Sequence, residues 1–415
     1  MNRILAFLLI SACLAPTPLS EPSTLECKVQ VTAGSSDCID TPVYVDIKLP
    51  AGSNIPATTN TSVRISTGDQ STAGQLERLE SGMTRIWWVV SKISAGETVE
   101  YSIDMKTPAA QNTASSFQWQ ATDTDKVTST TLNFGKRPVL RYMHTQFSAD
   151  NIELTKTPYH HLYAPDGSQL ITKGHEGLYP HHRGIYFGYN KCQVNGKSYD
   201  IWHAHKGEHQ THIKEVHRFE GPVFGGHTVR IDWNDRDGKT FAKETRRVTV
   251  FQQSNGHQLV DFQTHLEVTD GPVKLRGDPQ HAGVQFRAAQ FVANNQKLTR
   301  YLRPAKWKDL PETKQINFPG NKQHKDMPWN AVRFMVQKSP YTVAYLSHPS
   351  NPNKAQSSER LYGRFGEYFP YDLSEGHPLD VTYRWWVSDN HDVDRSSVEG
   401  RYQAMAVPPT VQEIK

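Results

Sequence analysis

Strand-like alternation runs through most of this chain, with almost no helical period to compete with it. Within His257–Val268, Val260, Phe262, Leu266 and Val268 fall on one side with Thr264, while Asp261, Gln263, His265 and Glu267 fall on the other. Side chains on a strand point alternately to opposite faces, so a period of two implies a ribbon with one face against a core. Val229, Ile231 and Trp233 alternate with Arg230 and Asp232, and Val381, Tyr383, Trp385 and Val387 repeat the pattern near the end. Turn formers punctuate these runs at Pro165-Asp166-Gly167, Asn195-Gly196, Asp237-Gly238 and Asp270-Gly271-Pro272. Asn-Gly and Asp-Gly are the strongest short hairpin signals, because they tolerate positive φ. One helix is predicted late, where Val398, Tyr402 and Met405 stand at i, i+4 and i+7 before Pro408-Pro409. No fixed-period repeat interrupts the pattern, which disfavours a propeller.

The 415 residues exceed the usual size of one domain. From Leu25 to Met105 the strands are short: Val43, Val45, Ile47 and Leu49 alternate, Ile86 to Val90 is apolar, and Val99 to Ile103 alternates again. Residues 106–131 are rich in Thr, Ser, Ala and Gln and have little to bury, so they read as a linker. The expected fold is therefore all-β. A small N-terminal β-sandwich (25–105) precedes a large antiparallel β-supersandwich (132–415) that carries the site.

Met1-Asn2-Arg3, the apolar run Ile4–Ile10 and the small residues Ser11-Ala12 have the form of a signal peptide spanning residues 1–20. Ile10-Ser11-Ala12-Cys13 also resembles a lipobox, which would make Cys13 the lipidated first residue of an exported lipoprotein; cleavage near Ser20 is the alternative. Export predicts a periplasmic, extracellular or outer-membrane location, with the membrane reached only through a lipid anchor. Beyond Cys13 there are Cys27, Cys38 and Cys192. Cys27 and Cys38 bracket Gly34-Ser35-Ser36 and form either a loop-closing disulfide or two buried thiols, while Cys192 reads as a packed small hydrophobe. A net charge of +4 without a Lys/Arg block argues against a nucleic-acid partner.

Histidine is distributed unevenly. Ten of the 19 fall between His160 and His217. Imidazole exchanges protons near neutral pH and is the commonest metal ligand, so such a cluster points to a polar cleft. In Tyr179-Pro180-His181-His182-Arg183-Gly184, Pro180 biases Tyr179 to extended geometry. On a continuing strand His181 and Arg183 would face one way and His182 the other, so one histidine would enter the cleft. Arg183 offers a planar fork for a carboxylate. In Asp200-Ile201-Trp202-His203-Ala204-His205, the i, i+2 spacing would aim His203 and His205 together on a strand. No cofactor is firmly implied, but if a divalent metal is held, His203, His205 and His209 of the H-x-H-x3-H-x2-H run are the expected ligands, with His212 next in line. The competing reading is a polar wall of solvated histidines.

Two later stretches add to the candidates. His281, Gln285 and Arg287 alternate with Gly283 on one strand face. In Tyr362-Gly363-Arg364-Phe365-Gly366-Glu367-Tyr368, rings beside Arg and Glu suit a sugar, which has apolar C–H faces and a hydroxyl rim. Glu367 among apolar rings is expected to have a raised pKa and to act as acid or base. The catalytic candidates are thus His181, His182, Arg183, His203, His281 and Glu367. The substrate-binding candidates are Trp202, His205, Gln285, Arg287, Tyr362, Arg364 and Tyr368. An antiparallel sandwich can bring these distant strands side by side, so they are expected to converge on one pocket.

Taken together, YPHHRGIYFGYN, DIWHAH, HAGVQFRA and YGRFGEYFPYDL resemble an uncharacterised family of secreted bacterial β-proteins, DUF6807, some of which carry a methane-oxygenase-like label. The resemblance covers about Arg137 to Ala406, and HHRG is its most specific part. The oxygenase label implies a membrane-embedded copper subunit, yet no stretch after the leader is apolar enough to span a bilayer. Better matched is a galactose-mutarotase-like supersandwich, shared by sugar epimerases, some polysaccharide lyases and hydrolase accessory domains. What the resemblance implies is a secreted carbohydrate-active enzyme of polysaccharide degradation, a lyase, hydrolase or epimerase working by His, Arg and Tyr proton transfer on a carbohydrate substrate. The alternatives are a non-catalytic glycan-binding lipoprotein and a His-ligated metal-dependent enzyme.

Overall fold

The computed structural model describes residues 26–49, 62–105, 116–317, 323–390 and 392–414. The expected leader, with Cys13, lies outside these residues. Among the described residues no helix is long and apolar enough to cross a membrane.

Two eight-stranded antiparallel sheets pack face to face. The first runs in spatial order Gln356–Arg360, Arg364–Tyr368, Ala282–Arg287, Ile185–Tyr189, Tyr159–Leu162, Arg137–Met143, Ser129–Phe134 and Phe117–Ala121. The second runs His209–Phe219, Phe224–Asn234, Thr240–Phe251, His257–Val268, Leu379–Ser388, Ser339–Ser347, Trp329–Val336 and Arg300–Leu302. Alternation decides what fills the space between them. Ile185, Phe187, Val284, Phe286 and Phe365 from the first sheet meet Val229, Ile231, Val260, Phe262, Tyr383 and Trp385 from the second in one buried cluster. Trp385 bridges the layers, with ring centroids 5.5 Å from Phe286, 5.7 Å from Phe365 and 4.9 Å from Tyr345. Each such side chain contributes roughly 1.5–3 kcal/mol on burial, so the core is large enough to hold irregular loops in place. The Asn195-Gly196 hairpin forms as expected, both residues having positive φ, between Lys191–Val194 and Lys197–Tyr199 of a smaller four-stranded sheet.

The N-terminal unit is a single seven-stranded sheet that curls until its edge strands, Cys38–Ile47 and Thr410–Ile414, come within 8 Å of each other. Val31, Val45, Ile65, Ile86, Trp88 and Ile103 fill its inside. Its seventh strand comes from the other end of the chain. After the late helix, Arg395–Ala406, capped by Asp394 and packed through Val398 and Met405, Thr410–Ile414 pairs with Glu26–Thr32. The expected linker 106–131 holds two strands of the large sandwich, Phe117–Ala121 and the start of Ser129–Phe134, because Phe117, Trp119 and Thr131 are apolar or buried at alternate positions despite the polar composition. Gln75 fixes how the two units meet. Its buried amide accepts from the N–H of Val223 and of Phe224 (3.0 Å each) and donates to the carbonyls of Glu220 and Phe224. Cys27 and Cys38 are free thiols on strands that are not neighbours. Burial, with Glu413 nearby, pushes Cys27 up to about 11.

Candidate functional site

Because Ile185, Phe187, Val284, Phe286 and Phe365 point inward, the pairings Tyr186↔Gln285 and Arg287↔Arg364 place those four residues on the outer face of the first sheet. The site is assembled on that face by three loops that carry histidines over it. His181, His203 and His281 are each half-buried, and one ring nitrogen of each lies within 4.8 Å of the others. Their ring centroids are 4.6 Å (His181–His203), 4.7 Å (His203–His281) and 5.4 Å (His181–His281) apart. Beneath them His182, fully buried, stacks on His281 at 5.3 Å and 13°, and Trp202 lies under His182 at 5.7 Å.

Two of these loops are built by the same device. Asp200 accepts from the N–H of Trp202 (3.0 Å) and of His203 (2.8 Å), and its other oxygen takes Nδ1 of His203 at 2.8 Å. Asp278 accepts from the Gln280 N–H (2.9 Å) and meets Nδ1 of His281 at 3.1 Å, while Asn190 donates to it at 2.7 Å. A carboxylate at Nδ1 fixes the orientation of each ring and, whenever that ring is neutral, favours the tautomer that leaves Nε2 free to accept. Burial alone would raise Asp278, but the His281 hydrogen bond and charge, with the Gln280 and Asn190 contacts, hold it at about 2. His181 is pushed down to about 2 by burial and then by the neighbouring His203 and His281, so it presents a lone pair.

The loops are turns, not the strands expected from spacing. Tyr179 has φ +56°, and its carbonyl accepts from the His182 N–H at 3.0 Å, closing a tight turn that overrides the extended bias imposed by Pro180. His181 and His182 therefore both enter the cluster, ring centroids 4.3 Å apart, where a strand would have split them. His203 and His205 likewise sit on a turn, in which Ala204 (φ +54°) donates its N–H to the Asp200 carbonyl at 2.8 Å. His205 is exposed and stacks beside His203 at 5.5 Å without joining the convergent nitrogens. His209 stacks on Phe147 at 3.6 Å and bonds the Gly207 carbonyl. The nitrogens that converge are thus those of His181, His203 and His281 and not those of the expected set His203, His205 and His209, because the turn at Gly207 carries His209 away.

The expected site arginines, Arg183 among the catalytic candidates and Arg287 and Arg364 among the substrate-binding ones, are struts. Arg183 donates to the carbonyls of Glu153 (2.8 Å) and Pro180 (2.9 Å). Arg287 donates to the carbonyls of Ala288 (3.2 Å) and Tyr362, and its cation lies 4.7 Å from the Tyr362 ring. Arg364 donates to Gln285 (2.8 Å) and Ser358 (3.0 Å), and Gln285 in turn donates to the carbonyls of Pro279 and Ala282, shaping the loop that carries His281. All three arginines are about 99–100% buried, beyond the reach of a carboxylate in solution. Trp202 is buried as well, a floor under the histidines and not a stacking platform.

Glu367 is not part of this site. Its partner Val284 faces the inter-sheet core, and Glu367 shares that face, three positions from outward-facing Arg364. It accepts from Ser347 (2.8 Å) and Tyr383 (3.0 Å), and burial raises it to about 7. The pKa direction agrees with expectation; the place does not. Tyr368 belongs to a buried apolar cluster, its ring centroid 6.2 Å from that of Tyr189.

Three residues at the cluster are not among the candidates that the sequence offered. Tyr179, 43% exposed, lies 4.9 Å from Tyr362 and 6.1 Å from His181, giving the cluster an open aromatic edge. Lys156 donates to the His203 carbonyl at 2.6 Å and to Glu153 at 2.8 Å. Lys173 is lowered to about 7 by burial and by Arg287 and Arg183, and its amine reaches the Tyr179 carbonyl at 3.3 Å. The legible signal was a repeated Asp-x-x-His, at Asp200–His203 and Asp278–His281. Part of the histidine surplus belongs elsewhere. His160 and His227 share a 2.9 Å contact inside the core, with Tyr142 stacked on His160.

The match to a family model described as a family of unknown function (DUF6807) spans residues 129–403 and so includes every residue of this cluster. No curated protein matches. Among solved structures, the GalM/aldose epimerase homologue from C. elegans is similar over 66% of this chain and 99% of its own, at 12% identity. Its TM-score of 0.29 makes that likeness too slight to carry an argument.

Proposed function

The chain belongs to the family of unknown function DUF6807, and we propose that it is an enzyme whose active site is the His181–His203–His281 cluster, acting on a carbohydrate by proton transfer. One observation carries the reading. Loops distant in sequence converge three half-buried imidazoles on one point, two of them oriented by their own aspartates. Groups held with this redundancy are costly to maintain for packing alone, and perturbed, convergent polar groups mark functional sites. The exposed Tyr179 ring against Tyr362 offers the apolar C–H face of a sugar a surface beside the imidazole lone pairs. Lys173, near neutrality, is suited to give and take a proton at pH 7.

Elimination or epimerisation fits these groups better than two-carboxylate hydrolysis. Asp200 and Asp278 are committed to imidazoles, and Glu367 faces the core, so the carboxylate pair that hydrolysis ordinarily uses is not assembled from them. Export through the N-terminal leader would bring the enzyme to extracellular or periplasmic glycans.

The test is a screen of the purified mature protein on neutral and uronate-containing oligosaccharides. New ultraviolet absorbance reports elimination, new reducing ends report hydrolysis, and nuclear magnetic resonance of the sugar protons reports epimerisation. Turnover of one substrate class that falls at least 100-fold in His281→Ala, with the circular dichroism unchanged, is the expected result. Binding without turnover, undiminished in His281→Ala, would instead mark a glycan-binding protein.

A further inference from the structure

We propose that His181, His203 and His281 hold a divalent cation of the zinc type, with a fourth position open to an oxygen of the substrate. The inference rests on reading the cluster as the active site and adds what occupies its centre. Each of the three rings contributes one nitrogen to a group whose members lie within 4.8 Å of one another. In a tetrahedral site with metal–nitrogen bonds of about 2.0–2.1 Å, ligand nitrogens stand roughly 3.3 Å apart, so rotations of half-buried rings close the set without moving the sheet. Three histidines with an open fourth position is an arrangement that catalytic zinc sites use, and imidazole suits such ions.

The surroundings point the same way independently of the spacing. A metal-bound imidazole generally donates its other N–H to a carboxylate or a carbonyl. His203 does so to Asp200 at 2.8 Å and His281 to Asp278 at 3.1 Å. Both aspartates are themselves fixed, Asp200 by two backbone N–H groups and Asp278 by Gln280 and Asn190. A cluster of solvated histidines has no need of two identical Asp-x-x-His supports. His203 is anchored again through its carbonyl by Lys156, and His281 by the stacked, buried ring of His182. Bound at the open position, a sugar hydroxyl or carboxylate oxygen would be polarised while the Tyr179–Tyr362 edge receives the ring.

Mature protein stripped with a chelator is titrated calorimetrically with zinc chloride, and cobalt chloride is followed by visible absorbance. One ion per chain is expected. His203→Ala and His281→Gln should each weaken it at least 100-fold, and Asp200→Asn 10- to 100-fold. His209→Ala should leave it unchanged. Circular dichroism accompanies every variant, and two different ligands are replaced so that one misfolded variant leaves the other informative. Zinc and cobalt binding no tighter than in both ligand variants, or binding lost in His209→Ala, overturns the site. Saturable binding of inorganic phosphate with no zinc binding also overturns it, in favour of an anion pocket. Zinc binding without turnover of any glycan supports the metal site and refutes the carbohydrate reading; turnover unchanged after metal removal does the reverse.

Discussion

Replacing Glu367 with glutamine separates a core carboxyl from a catalytic one. Glu367 is buried against Ser347 and Tyr383, and its pKa rises from the ordinary 4.5 to about 7. The folded protein therefore keeps a proton between those values that the unfolded chain has released. Stability attributable to this group is full below pH 4.5 and is lost as pH rises towards 7, at roughly 1.4 kcal/mol per pH unit and roughly 3 kcal/mol in all. A glutamine amide keeps an oxygen that can accept from both hydroxyls but does not titrate, so Glu367→Gln should be the more stable form at pH 8. Buried neutral histidines such as His161 shift stability in the opposite sense, so the quantity to plot is the difference between wild type and variant. Urea midpoints measured from pH 4.5 to 8 should give a difference that grows by roughly 3 kcal/mol and then levels. Turnover per folded molecule should be unchanged. A flat difference curve, or a variant that is as stable as wild type yet inactive, would refute the placement of Glu367 in the core.

Two further substitutions test the scaffold. Gly184 has φ +44°, and a Cβ there would lie 2.1 Å from the His160 carbonyl oxygen, so Gly184→Ala should cost ~3 kcal/mol or more and yield protein with a markedly lower melting temperature or none in the soluble fraction; an ordinary melting curve would contradict this. Glu359 pairs with Arg303 at 2.5 Å, both almost fully buried, and also accepts from Asn330 and Ile316, so Glu359→Ala should destabilise by ~3–5 kcal/mol in chemical denaturation, a loss under ~1 kcal/mol being inconsistent with the pair.

Strand periodicity made the sandwich legible because burial on one face leaves a mark every second residue. Val229, Ile231 and Trp233 are all fully buried, as their alternation requires. The unit boundary was harder to read, since the pairing of Thr410–Ile414 with Glu26–Thr32 joins opposite ends of the chain and leaves no local trace. At the site, the residue types were visible but their geometry was not. The i, i+2 spacing of His203 and His205 is the same on a strand and on a turn; what selects the turn is Asp200 capturing two backbone N–H groups. Arginines read as substrate ligands prove to be struts, because the carbonyls they satisfy come from segments far away in sequence, as when Arg287 reaches Tyr362. Glu367 and Arg364 lie three positions apart on one strand, so the alternation that identified the strand also places them on opposite faces. That conclusion needed only the register.

The central claim, that a carbohydrate reacts at the convergent histidines, is tested most directly by the crystal structure of the mature protein with the oligosaccharide selected by the turnover screen, trapped in His281→Ala. The account predicts a sugar ring against Tyr179 and Tyr362, with a hydroxyl or carboxylate oxygen directed at the point faced by His181 and His203. An oligosaccharide seated elsewhere, on the N-terminal sheet or in the open groove of about 430 Å³ beside Leu154 and His175, with the histidine cluster untouched, would contradict it.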